Sequence, residues 1–253
     1  MIIKNPALSD TKQLKRLWSE AFGDTDDFIE LFFSRGFSSE RSLCVYDNGA
    51  VTSALYWFDC YLGKERVAYI YGVATKKSYR KKGLSTALLK RTHEQLSASG
   101  YSGAILVPAE ERLFSFYGKL GYTECCFINS SEYPAAKVPI PLKKISTNEY
   151  FALRKKYLPQ NSLEFDNNCL LFLESIADFY KNESFILAKS KDSEKLKIIE
   201  FLGDKGYISS AIASLGFCVG ALRSFGKSKP FAMYYPLKKN IKIYPQYLGF
   251  AFD

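Results

Sequence analysis

A basic turn at Lys76–Lys82 holds the residues whose types and spacing are best suited to chemistry. Five of these seven residues are Lys or Arg, and Gly83 follows them just before a helical pattern. A helix start presents backbone N–H groups without partners and carries partial positive charge, and glycine lets the backbone approach a ligand closely. This combination predicts a phosphate or pyrophosphate site. The alternative is a basic surface turn in front of an ordinary helix.

The elements on either side of this turn are predicted from the spacing of apolar residues. The sequence Asp47-Asn48-Gly49 is typical of a hairpin turn between two strands. An antiparallel meander that leads into a βαβ unit predicts an α/β fold with a mixed (α+β) sheet. In chain order, the predicted elements of the first half are helices at 9–22 and 24–34, strands at 42–46, 50–61 and 67–75, a helix at 84–96, a strand at 104–107, a helix at 110–120 and a strand at 122–128.

The second half of the chain carries a sparser pattern. The segment 129–141 contains Pro134, Pro139 and Pro141 and is predicted to be a linker. A first domain at 1–130 and a smaller C-terminal α/β domain at 142–253 are therefore expected. The turn at 203–206 carries one acid and one base, so it is not predicted to bind a second phosphate. The predicted elements of this half are helices at 145–156, 168–180 and 207–215, and strands at 184–188, 195–202, 231–235 and 247–252.

Three segments of the first half resemble motifs of the GNAT superfamily of N-acetyltransferases. The stretch 80–85 is similar to that family's Arg/Gln-x-x-Gly-x-Gly/Ala signature for acetyl-CoA, except that Ser85 stands where Gly or Ala is usual. The stretch 109–122 resembles its later helix with Phe-Tyr and Leu-Gly-Tyr, and 17–24 resembles its first helix and the following turn. The resemblance implies a GNAT acyl-CoA N-acyltransferase fold, with an acetyl-CoA-binding catalytic domain at 1–130.

The same resemblance implies that acetyl-CoA is the cosubstrate. The family's strand end binds the pantetheine arm, which gives that role to Val73 and Thr75. The pyrophosphate is then expected to lie against the turn and the helix start, whose residues are Arg80, Lys81, Lys82, Gly83, Leu84, Ser85 and Thr86. No metal site is expected, because the chain has one histidine and its cysteines show no C-x-x-C spacing.

Tyr117 occupies the position of the tyrosine that commonly protonates the departing coenzyme A thiolate in this family. A phenol beside the sulfur can donate that proton. The alternative is that Tyr117 only packs a helix face beside Phe114 and Phe116. A backbone N–H around 73–75 is expected to meet the oxyanion. No general base stands out, and His93 is interpreted as an exposed or packing residue.

The second half loosely resembles the degenerate second GNAT-like domain of the enhanced intracellular survival family. In that family the C-terminal carboxylate serves as a base, a role that would here fall to Asp253; a loose surface tail is the alternative. The C-terminal domain is therefore expected to be GNAT-like and to shape the acceptor site or a subunit interface. A homo-oligomer is one arrangement that this permits.

Composition restricts the function classes. The formal net charge of +9 indicates an acidic partner, either nucleic acid or a polyphosphate cosubstrate, and composition does not choose between them. Because positive charge is concentrated at the turn 76–82, which a cosubstrate explains, nucleic acid is not the expected partner. No apolar run approaches the roughly 20 residues of a membrane span. The six cysteines lie in apolar stretches and indicate reduced thiols, so a cytoplasmic location without a membrane partner is expected.

The expected function is transfer of an acetyl group to the primary amine of a small molecule or peptide, by direct attack in a ternary complex. The alternative is a non-catalytic acyl-CoA-binding regulatory module. Aromatic residues at 18–33 and 56–58 are expected to be mostly core, with Tyr56 and Phe58 on one face of their strand and Trp57 on the other. Their number also suggests an acceptor with an apolar part beside its amine.

Overall fold

The computed structural model describes residues 1–191, 195–239 and 243–252. The chain forms two compact units: the first is Met1–Thr123, Glu164–Phe172 and Met233–Tyr244, and the second is Glu124–Leu163, Leu173–Ala232 and Pro245–Asp253. The units interleave along the chain, unlike the contiguous ranges 1–130 and 142–253 expected from the sequence. In the part of the chain that the structure describes, no helix is long and apolar enough to span a membrane.

The helices and strands of the described residues are numbered in chain order. The helices are α1 (Thr11–Phe22), α2 (Asp26–Arg35), α3 (Leu84–Ala98), α4 (Glu111–Gly118), α5 (Thr147–Tyr157), α6 (Leu170–Ile176) and α7 (Ile208–Ser214). The strands are β1 (Ile2–Lys4), β2 (Ser42–Asp47), β3 (Ala50–Leu62), β4 (Glu65–Thr75), β5 (Gly103–Leu106), β6 (Thr123–Cys125), β7 (Ile128–Pro134), β8 (Lys143–Ile145), β9 (Leu163–Phe165), β10 (Ala177–Lys181), β11 (Phe185–Ser190), β12 (Leu196–Gly203), β13 (Val219–Phe225) and β14 (Ala232–Pro236).

The first sheet has the order β1-β2-β3-β4-β5-β14-β6, with β9 paired to β3. Strands β2, β3 and β4 form the predicted antiparallel meander, and β5 joins β4 in parallel after the α3 crossover. The predicted hairpin turn between β2 and β3 is confirmed: Asn48 and Gly49 have φ values of 48° and 78°, the left-handed conformation that such a turn needs. The predicted mixed α/β fold is therefore correct.

The second sheet has the order β7-β13-β12-β11-β10-β8. Strands β10, β11 and β12 run antiparallel, and β13 joins β12 in parallel after α7. This succession of a meander, a helix and a parallel strand repeats the order of β2 to β5 in the first unit. The second unit is therefore built on the same plan, as expected for a GNAT-like domain.

The turn before α7 differs from the basic turn before α3. The Asp204 side chain accepts a hydrogen bond of 2.9 Å from the backbone N–H of Gly206. A carboxylate thus caps the 3-10 turn Lys205–Tyr207 that leads into α7, where an incoming phosphate would meet repulsion. This contact agrees with the expectation that the second unit has no phosphate site at 203–206.

Three sequence predictions for the second half are wrong. The expected linker at 129–141 contains β7, which pairs with β13; Pro134 fits because β7 is an edge strand. The expected helix at 168–180 ends at Ile176, and β10 follows because Ala177 and Phe179 alternate into the core. The described part of 247–252 forms no strand apart from an isolated bridge at Tyr247.

The segment 247–252 is nevertheless buried, which contradicts the alternative of a loose surface tail. Its backbone is fixed by Arg154, whose Nη2 donates to the carbonyl oxygen of Leu248 at 3.2 Å. Phe250 is completely buried, and Phe252 is 4% exposed. Asp253 lies outside the described residues, so the role expected of its carboxylate stays a prediction.

Candidate functional site

Strand β4 has an open edge toward its C-terminal end. Its pairing with β5 ends at Ile70 and Leu106, whereas its pairing with β3 continues to Thr75. No strand of the described chain pairs with the other edge of β4 over 71–75. Backbone N–H and C=O groups on an unpaired edge are available to a ligand that can take the place of a strand.

A β-bulge at Gly72 changes the direction of this edge. The β3–β4 register shifts between Ala54 and Tyr56, and Gly72 has a φ of 61°. A Cβ at position 72 would lie 2.9 Å from the Trp18 ring and 3.0 Å from the Tyr56 ring. The bulge therefore requires glycine both for its conformation and for the lack of space. Our sequence analysis did not single out Gly72, although a glycine inside a strand of β-branched and aromatic residues is a signal of a bulge.

The basic turn forms a concave backbone start for α3. Lys81 and Gly83 have φ values of 62° and 76°, and Gly83 is the N-cap of the helix. The first helical bond joins the N–H of Ala87 to the carbonyl of Gly83 at 3.0 Å, so the N–H groups of Leu84 to Thr86 precede it. Apart from Gly83 itself and the residues next to it in the chain, no atom of the described residues lies within 4 Å of a Cβ placed on Gly83. This open, positive helix start fits a phosphate group.

The charges of the turn are divided between two roles. The Nε of Arg80 donates to the carbonyl oxygen of Thr75 at 3.2 Å, which ties the turn to the end of β4. The ammonium of Lys82 lies 4.8 Å from the centre of the Tyr79 ring. Lys81 and Lys82 are exposed and leave positive charge beside the helix start. Arg80 therefore fixes the turn to the end of β4, whereas Lys81 and Lys82 remain exposed beside the helix start.

A row of three hydroxyl groups connects β3, β4 and α3. The Ser53 and Thr75 hydroxyls are 2.8 Å apart, and the Thr75 and Ser85 hydroxyls are 2.9 Å apart. Ser53 also donates to the carbonyl oxygen of Ala74 at 2.6 Å. Ser85, the departure from the family signature, thus fixes the helix start against the strand end. Val73 and Thr75 are both partly exposed on this strand end.

Tyr117 lies on α4 with its ring buried and its hydroxyl unengaged. The side chain is 7% exposed and contacts the rings of Phe116 and Tyr122 at centroid distances of 5.1 and 5.7 Å. Its hydroxyl forms no hydrogen bond with any residue that the structure describes. Burial raises the pKa of Tyr117 to about 12, so the hydroxyl stays protonated at neutral pH and can donate.

His93 is a packing residue. It is 8% exposed and stacks on Tyr235 at 4.1 Å, and its Nε2 lies 2.7 Å from the Tyr122 hydroxyl. Burial lowers the pKa of His93 to about 4, which leaves the ring neutral. Glu65 is equally unsuited to act as a base, because it begins β4, about 33 Å along the strand from Thr75, and pairs with Lys238.

The aromatic residues of α1, α2 and β3 fill a core. Trp18 packs on Phe32 at 4.3 Å and on Tyr56 at 5.5 Å, and all three are at most 3% exposed. The predicted alternation on β3 is confirmed: Tyr56 and Phe58 contact Phe32, whereas the Trp57 Nε1 donates to the Tyr101 hydroxyl on the other face at 3.3 Å. These rings are occupied by each other and offer little surface to an acceptor.

Comparison with known proteins agrees with this geometry. Residues 3–125 match the family model of the acetyltransferase (GNAT) domain. No curated protein sequence matches the chain significantly.

Solved structures with similar folds come from several organisms. A GCN5-related N-acetyltransferase from Anabaena variabilis aligns with a TM-score of 0.72 at 17% identity, over 94% of this chain and 73% of its own. Eis1 from Mycobacterium abscessus aligns with a TM-score of 0.69 at 10% identity, over 94% of this chain and 74% of its own. A putative acetyltransferase from Pyrococcus horikoshii aligns with a TM-score of 0.62 at 14% identity, over 98% of this chain and 94% of its own. At these identities the likeness concerns the fold alone. Residues 3–125 therefore match the acetyltransferase (GNAT) domain family, and the chain shares its fold with solved N-acetyltransferases.

Proposed function

We propose that this protein transfers an acetyl group from acetyl-CoA to a primary amine. The observation that carries the proposal is the combination of the open β4 edge with the positive helix start at Gly83. An acyl-CoA needs both, because its pantetheine amides pair like a strand and its pyrophosphate seeks N–H groups. In this proposal Val73 and Thr75 hold the pantetheine arm, and Arg80 to Thr86 hold the pyrophosphate.

The reaction needs one bond to form and one to break. The amine nitrogen attacks the thioester carbonyl carbon, and a backbone N–H of 73–75 stabilises the oxyanion that develops. As the C–S bond breaks, the sulfur takes the electron pair and receives the proton of Tyr117. The amine gives its extra proton to water, and Tyr117 is reprotonated from solvent. Because the phenol pKa is raised, Tyr117 acts by donating to the sulfur charge as it develops, not by ionising beforehand.

Turnover with a panel of amines tests this proposal. The intact chain is incubated with acetyl-CoA and alkyl, aryl-alkyl, polycationic and peptide amines, and released thiol and acetylated product are measured. We expect a mass increase of one acetyl group on at least one amine. Binding of acetyl-CoA without any product would instead support the non-catalytic regulatory module. Absence of both binding and product would refute the assignment of the acyl-CoA site.

The acceptor is proposed only as a small-molecule or peptide amine. Because the rings around Trp18 are buried, the idea of an acceptor with an apolar part now rests on Phe22, which is 42% exposed. A rate that is equal for alkyl and aryl-alkyl amines of matched basicity would remove that idea.

The cytoplasmic location and a homo-oligomer also stay predictions; all six cysteines are free thiols, as a reducing compartment requires.

A further inference from the structure

The second unit contains a groove of about 720 Å³ beside the C-terminal half of α5. We name it the lysine groove, after Lys143, Lys156 and Lys181 in its lining. Its lining also includes apolar side chains, among them Leu142 and Leu153. A volume of this size lies within the roughly 300–1,000 Å³ typical of sites for small molecules.

The walls of the lysine groove are fixed by hydrogen bonds. The N–H of Ile140 donates to the Ser214 hydroxyl at 2.9 Å, and that hydroxyl donates back to the Ile140 carbonyl at 2.7 Å. The Asn182 amide donates to the carbonyl of Pro141 at 2.8 Å and accepts from the N–H of Ser184 at 3.2 Å. The loop at 140–142 and the hairpin at 182–184 are therefore held in place before any ligand arrives.

The charge of the lysine groove is positive. Its lining contains three lysines and one glutamate, Glu183. The ammonium of Lys181 pairs with Glu149 at 2.6 Å. Lys143 and Lys156 form no ion pair with any residue that the structure describes, and both are exposed at the rim. Lys143 helps Lys181 to lower the pKa of Glu149, and the Lys156 ammonium lies 5.3 Å from the centre of the Tyr157 ring, so both can approach an anion without first breaking an ion pair.

The floor of the groove supplies apolar contact under this positive rim. Ile186 is 1% exposed, while Leu142, Leu153 and Tyr157 are partly exposed toward solvent. Burying such surface stabilises an apolar ligand by about 25 cal/mol per Å². A ligand complementary to both parts needs an apolar body and one anionic end.

We propose that the lysine groove binds a small carboxylate that carries an apolar body. The carboxylate lies at Lys143 and Lys156, and the apolar body covers Leu142, Leu153 and Tyr157. The proposal is independent of acetyl transfer, because every residue that it uses belongs to the second unit.

Binding of 4-phenylbutyrate to the intact chain tests this proposal. Amide chemical shifts are followed by NMR during titration with 4-phenylbutyrate, and separately with the neutral 4-phenylbutanol. We expect saturable shifts around Leu142 and Ser184 with the carboxylate, and binding at least about fivefold weaker with the alcohol. Shifts that do not saturate, lie elsewhere, or are equal for both compounds would overturn the proposal.

The matched variants are Lys143→Gln with Lys156→Gln, and Lys155→Gln as the control. Lys155 lies on the same helix but outside the lining. We expect the double variant to bind 4-phenylbutyrate about fivefold more weakly and the control to bind it as the wild type does. Equal affinities for all three proteins would show that the lysines do not hold the carboxylate. Acetyl-CoA binding, measured in parallel, should be unchanged in each.

Discussion

The buried imidazole of His93 makes a quantitative prediction about stability and pH. Burial lowers the pKa of His93 from 6.5 to about 4 in the folded protein, whereas the unfolded chain keeps the ordinary value. Above about pH 6.5 the ring is neutral in both states and has no effect. As the pH falls, the unfolded chain binds a proton that the folded protein refuses, so the free energy of unfolding decreases. The decrease is complete below the folded pKa.

The size of the effect follows from these two pKa values. At about 1.4 kcal/mol per pKa unit, the full loss is about 3 kcal/mol. Between about pH 7.5 and pH 5, which covers most of the interval between the two pKa values, the free energy of unfolding falls by about 2 kcal/mol. The variant His93→Gln removes the titrating ring and retains a group that can bond to the Tyr122 hydroxyl, which lies 2.7 Å from Nε2. The difference between the two proteins isolates the contribution of the imidazole.

Urea unfolding of both proteins across this pH range measures that difference. We expect the wild type to lose about 2 kcal/mol more than His93→Gln on acidification to about pH 5. Because the chain has one histidine, its ring resonance can also be titrated by NMR without assignment. If the free energy of unfolding changes with pH in the same way for both proteins and the measured pKa of His93 is near 6.5, the reasoning that the ring is desolvated is refuted.

Three further predictions concern the candidate site and the second unit. Tyr117→Phe should lower the turnover number by roughly 10²–10⁴-fold while acetyl-CoA affinity changes little, because the hydroxyl acts on the leaving sulfur; a turnover number within about twofold of wild type would reduce Tyr117 to packing. Gly83→Val and Gly100→Val both place a β-branched residue at positive φ, at opposite ends of α3, and should destabilise to a similar degree. Only Gly83→Val should abolish the dose-dependent thermal stabilisation by acetyl-CoA, and equal loss in both would point to a general effect of strain. Arg154→Met removes the two bonds of 2.8 and 2.9 Å that Arg154 donates to buried Glu200 and should cost roughly 3–5 kcal/mol in urea unfolding; a cost below about 1 kcal/mol would show that this pair contributes little to stability.

The fold of the first unit could be predicted from the sequence because its signals are local. The Asn48–Gly49 turn, the alternation along β3 and the glycine at the start of α3 each act over a few neighbouring residues. They suffice to predict the meander and the crossover helix, whereas phosphate binding at the turn before that helix stays a prediction. The bulge at Gly72 could also have been predicted. Glycine weakens a strand, so a glycine inside one indicates that the backbone conformation requires it.

Contacts between distant residues explain what sequence reasoning missed in the second unit. The buried pair of Arg154 and Glu200 is separated by 46 residues, and nothing near either one marks it as buried. Charged residues on a helix and a strand are ordinarily solvated, so each alone predicts exposure. The pair also fixes the segment after Tyr247. The apolar residues of this segment led to the prediction of a strand. They are buried through a side-chain contact, and burial of that kind leaves no periodic pattern in the sequence.

The pairing of β14 with β5 has a consequence for how the first sheet is completed during synthesis. Met233 lies opposite Leu106, about 130 residues earlier in the chain, so this contact is among the least local in the fold. Until β14 emerges from the ribosome, the fully buried strand Gly103–Leu106 presents an unpaired edge. A nascent chain should therefore pass through a long interval in which this edge can capture another strand. Fragments that stop near residue 130 should aggregate for the same reason, even though they contain every residue of the proposed acyl-CoA site.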